Sequence, residues 1–110
     1  MDNSDQSALA GALDILWTRF LPEMDGRIAA LEAAAEACRS NCLSVEQRED
    51  AHGAAHKLAG VLGTFGLSRG TMLARELEAM YSQPFGSDAS QTERLSAMAA
   101  ELRTIVASRK

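Results

Sequence analysis

The chain has 110 residues, the size of one domain with one modest hydrophobic core. Hydrophobic residues make up 46% and charged residues 24%, an ordinary globular balance; the net charge of −4, without a long basic stretch, argues against nucleic acid or an anionic membrane as partner. No apolar run reaches the roughly 18 residues of a membrane span. The start, "MDNSDQSALAG", lacks the basic and apolar regions of a signal peptide, so a cytoplasmic protein with reduced Cys38 and Cys42 is expected.

Alanine and leucine dominate, while β-branched and aromatic residues are scarce, which predicts helix nearly everywhere. In chain order, Leu9, Leu13, Leu16 and Phe20 predict a short N-terminal amphipathic helix. Pro22 suits the first position of the next helix, whose stripe is Met24, Ile28, Leu31, Ala35 and Cys38. "SNCLS" ends it. Ser44 and Gln47 form a capping box for a third helix, with stripe Ala51, Ala55, Leu58, Leu62 and Phe65 and a stop at Gly66. Ser68 is placed to cap a fourth helix, with Leu73, Leu77 and Met80 inward. "SQPFGSD" is turn-rich, and Ser90 with Glu93 opens a last helix lined by Leu95, Met98, Leu102 and Ile105.

Residues 1–110 therefore read as one all-α domain. It is an antiparallel up-down-up-down four-helix bundle with an additional short N-terminal helix, as a cap or as an extension of the next helix. Methionines 24, 72, 80 and 98 fall on apolar stripes and are expected in the core. Trp17 and Tyr81 are expected at bundle ends, and the acidic runs "EQRED" and "RELE" on solvated faces.

Both histidines lie in "AHGAAHKLAGVLGTFGL", residues 51–67. On a helical wheel His56 lies roughly 140° from the apolar stripe, on the solvent side. His52, Ala59, Gly60 and Gly63 fall near it. Glycine weakens a helix by about 1 kcal/mol relative to alanine. Gly60 and Gly63 on the histidine face would let a second protein surface approach the imidazole, although glycines can also mark a tight helix crossing. Imidazole titrates near pH 6.5, so a neutral, nucleophilic form is available at pH 7. Such a group needs an electrophile delivered by a partner and a cation against its charge. Lys57 is adjacent, and Arg48, Arg69 and Arg75 are further basic residues.

This stretch resembles the histidine phosphotransfer (HPt) domains of phosphorelays. Their pattern is a histidine, an apolar residue two on, lysine three on, glycine four on and glycine ten on. Here those positions hold His56, Leu58, Ala59, Gly60 and Gly66. "FLPEMDGRIAALEAA" (20–34) and "MLARELEAM" (72–80), with Leu77-Glu78 as an apolar–acidic pair, extend the resemblance over most of the chain. It implies a four-helix bundle without kinase activity of its own. His56 would be phosphoacceptor between the aspartates of receiver domains in response regulators or hybrid kinases. Lys57 would assist the phosphoryl group. Receiver docking would use His52, Ala59, Gly60, Gly63 and Thr64. No cofactor is implied for this chain; the receiver would bring Mg²⁺. The Met1 start fits a free-standing protein, and nothing calls for more than a monomer. Ala59 departs from the pattern, because the lysine expected there is missing. That departure supports an alternative: a degenerate, non-catalytic bundle that docks receivers without carrying phosphate. A zinc site from Cys38, Cys42, His52 and His56 is disfavoured. The nine-residue gap between the pairs is short, and the histidines lie roughly 12 to 18 Å along the helix from the Ser44 cap, near which the cysteines would stand.

Overall fold

The computed structural model describes residues 3–83 and 89–109, with side chains from residue 8 onward. The described residues form four α-helices and no strand: α1 (Asn3–Arg39), α2 (Val45–Thr64), α3 (Ser68–Tyr81) and α4 (Ala89–Ser108). Each helix packs on two neighbours, in the cycle α1–α2–α3–α4. Their shared core is leucine- and alanine-rich, with Met24, Ile28, Leu31, Leu58, Leu62, Leu77 and Leu102 fully buried.

The separate N-terminal helix is not found; that segment is the first half of α1, and Pro22 lies inside the helix. Proline removes one N–H from the ladder, a cost that isolated helices do not tolerate. Here Trp17 and Met24 are buried on either side of it, and Phe20 and Leu21 pack against the core between them. The stripe crosses the proline without losing its spacing, so tertiary packing holds the helix continuous. Ahead of Trp17 the apolar face is largely uncovered. Leu9 and Leu16 of the expected stripe are exposed, as is Ile15. At about 1.5 Å per residue, 37 residues match the 55 Å long axis of the molecule, so α1 outreaches its partners.

Helix ends follow local chemistry. The Ser44 side chain accepts from the Gln47 N–H at 3.0 Å, as the capping box requires. At the end of α2, Gly66 takes φ +71°, its N–H donates to Gly63 O, and the Leu67 N–H donates to Leu62 O. This Schellman turn satisfies carbonyls that the helix would leave open. Asn41, at φ 57°, ends α1 in the same way, its N–H donating to Cys38 O and that of Cys42 to Ala37 O. Ser68 is not a cap: the turn closes so tightly that Leu67 takes the cap position and Ser68 is already helical. Ser90 likewise lies inside α4, which begins at Ala89. Most of "SQPFGSD" lies outside the described residues.

Cross-helix pairs fix how the helices sit. Along α2 and α3, Arg48 donates to Tyr81 O, His56 meets Glu78, and Gly63 faces Thr71. Along α1 and α4, Arg39 donates to Ser96, Arg103 to Glu32 and Arg109 to Asp14. In both sets the partner number falls as the other rises. At one bundle end Trp17 meets Phe65 edge-on at 5.1 Å, with the Arg109 guanidinium over the Trp17 ring at 4.8 Å. Tyr81 is fully buried, and burial pushes its phenol well above the usual tyrosine range. Cys38 is buried and Cys42 exposed, as expected, while Met72 is half exposed rather than core. Gly70 is the glycine at a close crossing: a Cβ there would stand 3.1 Å from Leu62 Cδ1 and 3.4 Å from Ile105 Cγ2.

Candidate functional site

The open face of α2 lies between α1 and α3. His56, Lys57, Gly60, Gly63 and Thr64 are exposed along it, and His52 is half-buried one turn before His56. The ridge is bare, as its glycines suggest. A Cβ on Gly60 would meet nothing within 4 Å, and one on Gly63 only Thr71 Oγ1 at 3.8 Å. Neither glycine is demanded by internal packing, so the tight-crossing explanation fails for both. Their remaining effect is to keep the surface beside His56 low.

Ala59 is not on this surface. It is 6% exposed and belongs to the core. Position 59 lies roughly 60° around α2 from His56, on the side where α3 covers the helix, and that neighbour removes it from solvent.

The residue that organises the histidines is Glu78 of α3. Its Oε2 lies 2.7 Å from His56 Nδ1 and 3.9 Å from His52 Nε2. A carboxylate accepts at that distance, so Nδ1 is the ring's donor, and in the neutral ring this tautomer leaves the lone pair on Nε2. The two ring nitrogens point in nearly opposite directions. Anchoring Nδ1 on α3 therefore turns Nε2 outward and away from α3. The His56 side chain is 70% exposed, against 26% for Glu78, so a buried-edge carboxylate holds a displayed ring. Glu78 was expected merely on a solvated acidic face. The one hint of its role in the chain is its neighbour Leu77, which faces the core and leaves position 78 at the α2 edge.

On the other side of the ridge, α1 and α2 bound an open cleft of about 450 Å³. His56, Lys57 and Gly60 form one wall, and Phe20, Glu23 and Arg27 the other. The other basic residues have different work. Arg48 bonds the Tyr81 carbonyl, and Arg69 pairs with Glu101 on α4, which holds the Glu101 carboxyl below its usual range. Arg75 lines a separate depression with Met72 and Gly63. Among the described residues, no three His, Cys, Asp or Glu side chains are grouped as a metal site, so the two cysteines and two histidines do not converge.

The geometry thus displays an oriented imidazole on a helix face open to a macromolecular partner. The Hpt domain family matches residues 15–107, a span that includes the whole of this face. The chain belongs to the Hpt domain family. Hpt domains are phosphocarriers of phosphorelays without intrinsic kinase activity, and the helical bundle described above is their architecture. Protein RcaC of Microchaete diplosiphon is 38% identical over 76 residues, covering 69% of this Hpt chain and 12% of RcaC. The chain thus spans about an eighth of that relative's length. No solved structure matches significantly. No helix among the described residues is long and apolar enough to cross a membrane.

Proposed function

We propose that this chain carries a phosphoryl group on Nε2 of His56 between aspartates of receiver domains, within an up-down-up-down antiparallel bundle acting in the cytoplasm. The observation that carries the reading is the Glu78–Nδ1 contact, which supports the tautomer of the neutral ring with its lone pair on the outward Nε2. The Nε2 lone pair attacks phosphorus of the donor aspartyl phosphate. The N–P bond forms as the P–O bond breaks, and the electron pair leaves on the aspartate carboxylate. The ring acquires one positive charge, with its Nδ1 proton held by Glu78. Transfer onward reverses these bonds and returns a neutral ring. The receiver supplies Mg²⁺ and most of the charge stabilisation. Receivers of response regulators or hybrid kinases dock over Gly60, Gly63, Thr64 and His52, and the low glycine surface lets the aspartate reach Nε2. The chain acts as a monomer and holds no cofactor of its own.

The second reading, a bundle that docks receivers without taking phosphate, draws on Ala59, a small buried residue where the family pattern has lysine. A panel of phosphorylated receivers separates the two. The carrier gains acid-labile, alkali-stable label, and His56→Gln abolishes it while folding and receiver binding persist. Receiver binding by an unlabelled wild type leaves the docking module as the function.

A further inference from the structure

Phosphohistidine bears a dianion on an exposed ridge, and the carboxylate of Glu78 adds a negative charge nearby. A cation is needed on the Nε2 side. The aromatic contacts of Phe65 with Trp17 and Phe20 set the level of α1 against α2. From that junction, roughly 13 Å along each helix brings His56 on α2 and Arg27 on α1 to the same height. Arg27 lines the cleft that His56 and Lys57 wall. It lies across the ridge from Glu78, so the ring stands between a carboxylate on α3 and a guanidinium on α1. Among the described residues Arg27, with its side chain 23% exposed, pairs with Glu23 Oε2 at 3.6 Å, a long contact with a 60% exposed carboxylate. Such a pair is weak and readily exchanged. Lys57 has no ion-pair partner among the described residues and stands on the same side.

We propose that Arg27, with Lys57 beside it, forms the binding site for the phosphoryl oxygens on His56, replacing a cation that Ala59 cannot supply. The inference rests on the phosphocarrier reading and deepens it. Arg27 exchanges the Glu23 carboxylate for the phosphoryl oxygens, which its planar fork can grip bidentately.

Phosphoramidate is the probe, because it phosphorylates imidazole directly: its P–N bond breaks, ammonia leaves, and no receiver surface enters the comparison. Occupancy and environment are read by ³¹P NMR. Arg27→Ala lowers steady occupancy about tenfold and shifts the phosphorus resonance, whereas Arg27→Lys recovers about half of the occupancy. Lys57→Ala lowers it about threefold. Glu23→Gln, which leaves Arg27 in place and removes its competitor, raises it about twofold whether or not Arg27→Ala folds. Arg94→Ala makes the same charge change at the Glu76 pair between α3 and α4 and leaves both readouts unchanged. Equal occupancy and resonance in Arg27→Ala, Glu23→Gln and wild type overturn the inference and leave the carrier standing. A wild type that takes no phosphoryl group from phosphoramidate or from any receiver overturns both.

Discussion

Replacing Glu78 by alanine tests how much of the reactivity of His56 comes from its neighbour on α3. As Nε2 bonds to phosphorus the ring becomes an imidazolium, and the carboxylate 2.7 Å from Nδ1 faces that new charge. A hydrogen bond to a charged group is worth about 1.5–3 kcal/mol when shielded. Here the imidazole is 70% exposed and the carboxylate 26%, so solvent screening brings the figure to about 1–1.5 kcal/mol. At 1.36 kcal/mol per decade this is about 5- to 13-fold in the rate of phosphoryl uptake and in its equilibrium extent. Glu78→Gln keeps an acceptor without the charge and is expected to lose about threefold. Rapid-quench transfer from a phosphorylated receiver measures the rate, and thermal unfolding checks that the exposed pair contributes little to stability. Uptake by Glu78→Ala within twofold of wild type, at unchanged receiver affinity, would refute the claim that the carboxylate orients the ring and stabilises the charge it acquires.

Two glycines of similar appearance in the sequence should respond oppositely. Gly60→Ala meets nothing within 4 Å and should gain about 0.5–1 kcal/mol from helix propensity, whereas Gly60→Trp should keep the fold and weaken receiver binding at least about tenfold. Gly70→Ala presses on buried Leu62 and on Ile105 and should lose about 1 kcal/mol net, a fall in Tm of about 4–8 °C; equal Tm shifts in the two alanine variants would contradict the packing described. Tyr81 is the one tyrosine of the chain, so its near-ultraviolet phenolate absorbance reports a single group. Its phenol is raised by burial, so the unfolded chain gives up the proton near pH 10 while the fold keeps it. Tyr81 therefore adds no pH dependence below about pH 10 and costs the fold about 1.4 kcal/mol per further pH unit; Tyr81→Phe should remove that part of the slope in urea titrations.

The bundle was legible because its stripes repeat at helical spacing and its stops are chemically explicit, as at Ser44 and Gly66. Pro22 misled because local propensity opposes a proline inside a helix, while Trp17 and Met24, buried on either side, overrule it. His56 and its glycines could be found from one helix alone, since the wheel sets which side chains share a face. Ala59 could not be assigned in that way: whether a position at the margin of the stripe is open depends on how far α3 overlaps it. Glu78 and Arg27 were harder still. Each reaches the site from another helix, 22 and 29 positions from His56 in the chain, and spacing within a segment carries no information about such meetings.

The three-residue step of Phe65, Gly66 and Leu67 into α3 behaves as a ruler. The imidazole stands roughly 13 Å before it and the carboxylate a comparable climb beyond it, both measured in whole peptide steps. One inserted residue would break the turn in which Gly66 and Leu67 bond back to α2, and with it the seating of α3 that holds Glu78 level with the ring. Surface turns usually absorb insertions. This one cannot, because the length of the connection is what makes a carboxylate and an imidazole from different helices into a single reactive pair.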